Sequence, residues 1–123
     1  MFFSLAMQLI GQKQRKASKM LSMEVIKPLC NEDNTILTNH VRVKMKERGI
    51  VYDDIETSVL SGEIIAQYED DKPFPSCMIL GYTSKGQPLH AVVSINENTL
   101  WIITEYFPSD DVWVDDYKTK KVV

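Results

Sequence analysis

Two cysteines, two histidines, five glycines and five prolines in 123 residues exclude several kinds of protein at once. Cys30 and Cys77 stand far apart, and no C-x-x-C or Cys/His spacing suggests a zinc site. Nothing in the sequence calls for a metal or an organic cofactor. Both thiols read as reduced, buried groups of a cytoplasmic protein. Gly62, Gly81 and Gly86 form no phosphate-binding loop, and no Ser/His/Asp order is readable. No apolar run is long enough to span a bilayer. The first residues are apolar and then basic, the reverse of an export signal, so they do not read as one. No repeat or low-complexity stretch stands out. An overall basic charge is also lacking: the net charge is -3, which weakens a case for nucleic-acid binding built on charge alone.

What is present fits one small domain. The chain is 44% hydrophobic and 25% charged, in the range of globular proteins. Its charge is unevenly placed. Residues 1–48 carry nine Lys/Arg against four Asp/Glu, residues 49–117 carry two against 13, and the last six residues add three lysines. If the two basic ends meet in the fold, they form a local patch that the net charge conceals. Residues 1–22 differ in style from the rest and read as a poorly attached N-terminal extension, with Met20 and Met23 as alternative starts; residues 23–123 read as the domain.

The stretch His40–Ile50, HVRVKMKERGI, is the clearest element. His40, Lys44 and Arg48 are four apart and share one helical face, while Val41 and Met45 make an apolar face beside it. Thr38 is placed to cap the start, and Gly49 to end the helix in a left-handed conformation. The His/cation row fits two readings, a cradle for a polyanion or an ordinary solvated face. Ahead of it, Met23–Asn31 has a weaker helical pattern interrupted by Pro28. After it, Asp53 and Asp54 followed by Ile55, Val59 and Leu60 predict a further helix closed at Gly62. The period then changes to that of strands: Glu63–Tyr68, Cys77–Thr83, Leu89–Ile95 and Leu100–Phe107, joined by short turns. The expected fold is α+β, with two or three N-terminal helices packed on one face of a four-stranded antiparallel sheet. Leu89, Ala91, Val93 and Ile95, with Leu100 and Ile102, are expected to face the helices. His90, Trp101, Ile103 and Glu105 are expected on the other face, unless a bulge shifts the last strand.

Several motifs together resemble a known family. HVRVKMKERGI, SGEIIAQYEDDKPFPSCMILGY, GQPLHAVVSI and IITEYFPSDDVWVDDYKTK are similar to the family labelled domain of unknown function 4258, from about Ile36 to Lys121. That family resembles a distant branch of the RelE/ParE-like toxin fold, and its members are often candidate toxins paired with an antitoxin. The resemblance implies the toxin half of a toxin–antitoxin pair, a cognate antitoxin as partner, and RNA or the ribosome as target. RNA cleavage of the RelE type uses the 2′-hydroxyl to attack the adjacent phosphate, and needs an acid, a base and cations but no metal. His40 and His90, the only histidines, are candidates for acid and base, with Tyr106 positioning either the base or the phosphate. Lys44, Arg48, Lys118, Lys120 and Lys121 are candidates to hold phosphate. Lys44 and Lys120 stand where similar sequences lead one to expect arginine, which keeps the charge without the bidentate fork.

Each candidate has a structural alternative. His40 can fix the start of its helix, and His90 can be a satisfied core residue. Arg48 can pair with Glu47, Asp53 or Asp54, and Tyr106 and Trp113 can simply pack. Three functions follow: a toxin ribonuclease, a non-catalytic toxin or regulator that binds a protein, or a small domain with only a protein partner. They separate on whether the histidines and cations share one cleft.

Overall fold

The computed structural model describes residues 20–122. The described residues open with helix α1 (Met23–Leu29), which buries Ile26 and carries Pro28 in its last turn. Asn31 makes the next turn: its side-chain oxygen accepts from the amides of Asp33 and Asn34, at 3.0 and 2.9 Å. A three-residue strand β1 (Thr35–Leu37) follows.

Helix α2 (Asn39–Arg48) is the element expected from the His40 stretch. Thr38 Oγ1 accepts from the amide of Val41 at 3.3 Å, so the predicted cap is made. Gly49 ends the helix at φ +70°, a conformation that costs glycine little and a branched residue much. Val41 and Met45 are buried beneath it. Helix α3 (Tyr52–Leu60) starts where the Asp54 carboxylate accepts from the Val51 amide at 3.0 Å, and it buries Ile55, Ser58 and Val59. It lies very close to the sheet. A Cβ added to Gly81 would stand 1.8 Å from the Ser58 carbonyl oxygen, so only glycine fits there.

Four longer strands complete the chain: β2 (Glu63–Tyr68), β3 (Ser76–Tyr82), β4 (Pro88–Asn96) and β5 (Thr99–Tyr106). The sheet order is β1-β5-β4-β3-β2. The β2 to β5 meander is antiparallel, and β1 joins the outer side of β5 in parallel. The sheet is therefore five-stranded and mixed, which corrects the expected four antiparallel strands. Thr35–Leu37 is too short to show a strand period and is recruited by its partner, not by its own pattern. The β4–β5 hairpin turns through Glu97 and Asn98, both at positive φ, as a tight two-residue turn requires.

All three helices of the described residues serve one face of the sheet. There the core runs from Ile26, Val41, Met45, Ile55 and Val59 to Cys77, Ile79, Leu89, Ala91, Val93, Leu100 and Ile102. The expected inward set on β4 and the start of β5 is thus correct. Beyond it, Val93 pairs with Ile102 but Val92 pairs with Thr104, so Ile103 is an extra residue. This bulge reverses the alternation. Glu105 pairs with Ala91 and turns to the helix face, while Tyr106 pairs with His90 on the opposite face. Glu105 does not share a face with His90, contrary to the unbulged expectation.

Among the described residues, the second face of the sheet carries no helix. Residues 108–122 cross part of it as a small hairpin, in which Trp113 bridges Lys120 and the Lys121 amide donates to Val112 O at 2.7 Å. Trp113 closes a second, smaller core with Met78 and Val92. At the other end of the chain, Leu21 is tied to β2: its amide donates to Gln67 Oε1 at 3.0 Å, and Gln67 Nε2 donates back to its carbonyl at 2.8 Å. Met20–Ser22, the described part of the expected extension, thus touches the domain; residues 1–19 lie outside the described residues. No helix among the described residues is long and apolar enough to cross a membrane.

Candidate functional site

The sequence candidates divide between the two faces of the sheet. His40 is exposed in the first turn of α2, within the helix layer. His90 points the other way, from the middle of the sheet into the small core under Trp113, and is wholly buried. Its Nε2 lies 2.7 Å from Tyr117 O. A carbonyl only accepts, so Nε2 carries the proton and Nδ1 accepts from the Tyr106 hydroxyl at 3.2 Å. Trp113 and Tyr106 pack edge-on against the imidazole, with ring centroids 4.4 and 5.2 Å away. Burial holds the His90 pKa below its ordinary value, and the Tyr117 carbonyl partly offsets this by favouring the protonated ring. Burial likewise pushes the Tyr106 hydroxyl up. Two of the three catalytic candidates, His90 and Tyr106, therefore meet, but as a closed, neutral cluster holding the C-terminal hairpin to the sheet.

The cations are divided in the same way. Lys44 reaches Glu47 at 3.4 Å on the exposed side of α2. Arg48 reaches across to β5, where Nη1 donates to the Glu105 carbonyl oxygen and lies 3.4 Å from its carboxylate. Glu105 is fully buried, with Oε2 lacking a hydrogen-bond partner. Burial raises its pKa, and the Arg48 guanidinium opposes that. On the other face, Lys118 Nζ pairs with Glu63 at 2.9 Å, and Lys120 stands over the Trp113 ring at 5.8 Å. Lys121 is exposed at the end of the hairpin. Among the described residues, the cations of α2 and those of the C-terminal hairpin thus lie on different layers and do not form one patch.

The half of the second face that no other described residue covers supplies what the sequence candidates do not. Paired residues in neighbouring strands share a face, so Tyr68, Ser76, Ser94, Trp101 and Ile36 form one row across all five strands. Ile36, Phe74, Tyr68 and Ile103 are 37%, 39%, 39% and 41% exposed. Lys72, Pro73, Phe74, Ser94, Trp101 and Ile103 line a groove of about 250 Å³ there, walled almost entirely by apolar atoms. Its loop wall is fixed from both sides: Ser76 Oγ donates to Asp71 at 2.7 Å, and Ser94 Oγ donates to Pro75 O at 2.7 Å. The groove is therefore preformed, with aromatic anchors of the kind that dominate protein contacts. The sequence signals for it were the Pro-Phe-Pro loop and the outward Trp101. Only their convergence across the sheet makes them a site.

The two cysteines are free and buried, one in each layer of the main core. Burial pushes the Cys30 thiol up to about 11 and Cys77 to about 12, so neither supplies a nucleophile near neutral pH. Among the described residues no three His, Cys, Asp or Glu side chains are placed to hold a metal ion.

A family described as "Domain of unknown function (DUF4258)" matches residues 37–107. That span runs from the end of β1 through β5 and takes in both the buried His90 and the groove residues. No curated protein and no solved structure matches the chain. The match covers more than half of the sequence, and the chain belongs to that family.

Proposed function

We propose that this family member is a non-catalytic protein-binding module of the RelE/ParE-like kind, acting in the cytoplasm as a toxin or regulator with a cognate antitoxin as partner. The observation that carries this reading is the preformed apolar groove on the half of the sheet left uncovered among the described residues, set against the closed state of His90. A general base needs a nitrogen that can reach substrate. Both nitrogens of His90 are engaged, and the other histidine stands in the opposite layer. The RelE/ParE-like relation is supported by the order of helices before an antiparallel meander and by helices confined to one face.

One observation favours the ribonuclease reading as a second possibility: His90 and Tyr106 do meet, at 3.2 Å. In that reading the C-terminal hairpin lifts, freeing His90 Nε2 from Tyr117 O beside the lysines of the same hairpin. The two readings separate in vitro. The purified chain is incubated with total RNA and with ribosomes, beside Tyr106→Phe and His40→Ala forms. Intact RNA throughout is the expected result. Cleavage by the wild type that is lost in Tyr106→Phe would establish the ribonuclease instead.

A further inference from the structure

The groove between Phe74, Trp101 and Ile103 is small and apolar. Its volume of about 250 Å³ is below the roughly 300 Å³ at which pockets for whole small ligands begin, and its walls offer a charged ligand almost no polar atom. It suits one large apolar side chain, or two smaller ones, of a partner chain. Ile36 and Tyr68, exposed on the two edge strands of the same row, extend the apolar strip on either side.

The surroundings of the groove carry charge of one sign. Tyr68 pairs with Ser76, Asn96 with Thr99 and Thr35 with Leu100, and Asn34 Nδ2 donates to Asn98 O at 3.5 Å. Three connections therefore meet at the groove's end of the sheet: residues 31–34, 69–75 and 97–98. Together they carry six exposed carboxylates, Glu32, Asp33, Glu69, Asp70, Asp71 and Glu97, and one cation, Lys72. Glu32 shares a hollow with Arg42 on the helix side. Glu69, Asp70 and Asp71 line an open hollow with Tyr68, directly before the groove wall of Lys72 to Phe74. None of the six is ion-paired with another described residue. The lysines of the C-terminal hairpin lie toward the opposite end of the face, where Lys118 holds Glu63.

An apolar slot inside a negative rim attracts a chain that carries cations and repels a polyanion. We propose that the groove takes a basic amphipathic segment of a partner protein. A bulky apolar side chain of that segment seats between Phe74, Trp101 and Ile103, and its lysines or arginines lie against Glu69–Asp71. The same rim turns away an acidic segment, and RNA with it. This inference rests on the reading of the face as a docking surface, and adds the chemistry of the segment that the face selects.

The test uses the full chain, isotope-labelled, with the Trp101 indole signal followed by NMR. Three probes are titrated: a short amphipathic peptide of leucine, phenylalanine and lysine, its counterpart with glutamate for lysine, and a single-stranded RNA oligonucleotide. The expected result is a saturable Trp101 shift with the lysine peptide alone. High salt should weaken it, and Glu69→Lys/Asp70→Lys should weaken it about tenfold. The near-UV signal of Trp113 checks that the variant is folded. Equal or tighter binding of the glutamate peptide would overturn the proposal, as would an affinity unmoved by Glu69→Lys/Asp70→Lys. No Trp101 response to the lysine peptide up to about 1 mM would also overturn it. A response to RNA instead would assign the face to nucleic acid, and a shift with protein concentration alone would assign it to a second copy; either result overturns the proposal. The docking surface is judged separately. If Ile103→Asp abolishes the cellular effect while the lysine peptide fails to bind, the chemistry of the segment is wrong and the surface stands.

Discussion

The outer face of the sheet has two halves, built from the same strands and treated in opposite ways. At one end, Leu80, His90 and Tyr106 lie in a row under the C-terminal hairpin, and His90 and Trp113 are 0% and 7% exposed. At the other end, Tyr68, Trp101 and Ile36 lie in a row with nothing over them among the described residues. Apolar content does not separate the halves, since both carry aromatic and branched side chains. What separates them is one polar anchor. His90 offers a donor to a backbone carbonyl of the hairpin and an acceptor to Tyr106, and so fixes the cover in place. The open half has no such group at its centre; its two serines are turned onto the Asp71 and Pro75 loop instead. A buried histidine invites a catalytic reading, and here both of its ring nitrogens have partners within the fold.

The contrast can be broken most sharply at Trp113. Trp113→Ala removes the lid of the small core and is expected to cost about 3–5 kcal/mol by chemical denaturation. Arg48→Ala leaves the buried Glu105 carboxylate without its cation. The expected loss is about 2 kcal/mol, below that of a fully buried pair because Arg48 is partly exposed. Since burial raises the Glu105 pKa, its contribution falls as pH rises between the unfolded and folded values, and Arg48→Ala should steepen that decline in a pH series of urea midpoints.

His90 predicts the opposite slope. Its folded pKa lies below the ordinary value of 6.5, so below that pH the unfolded chain binds more protons than the folded one. Stability should be complete above this point and fall as pH drops through the window. The near-UV signal of Trp113 should report release of the hairpin, and a Tyr106→Phe form should lose it at higher pH. The smallest effects belong to the open half. Trp101→Ser and Ile103→Asp should change stability by no more than about 0.5 kcal/mol, as surface substitutions do, while removing partner binding.

Local rules carried far into this fold, and long-range ones did not. Thr38, Val41, Met45 and Gly49 specify α2 almost to the residue, because cap, stripe and terminator all act within one helix. The inward set from Leu89 to Ile95 follows from alternation alone. β1 was hidden because Thr35–Leu37 owes its extended form to β5, 65 residues later. The bulge at Ile103 was hidden because a run of Ile, Thr and Glu looks the same with or without a skipped pair, yet it decides that Glu105 meets Arg48 and Tyr106 meets His90. For the candidate site, the residue types were readable and their distribution was not. His40, Lys44 and Arg48 lie on α2 as the spacing requires, but which face of the sheet α2 covers is settled only by packing.

The central claim is that the protein acts through its open half-face and not through His90 and Tyr106. The most direct measurement is growth of a bacterium after controlled induction of the wild type, Ile103→Asp and Tyr106→Phe, with soluble levels matched and total RNA examined alongside. The account predicts arrest by the wild type and by Tyr106→Phe with intact RNA, and no arrest by Ile103→Asp. Arrest accompanied by RNA fragments, lost in Tyr106→Phe and retained in Ile103→Asp, would contradict it.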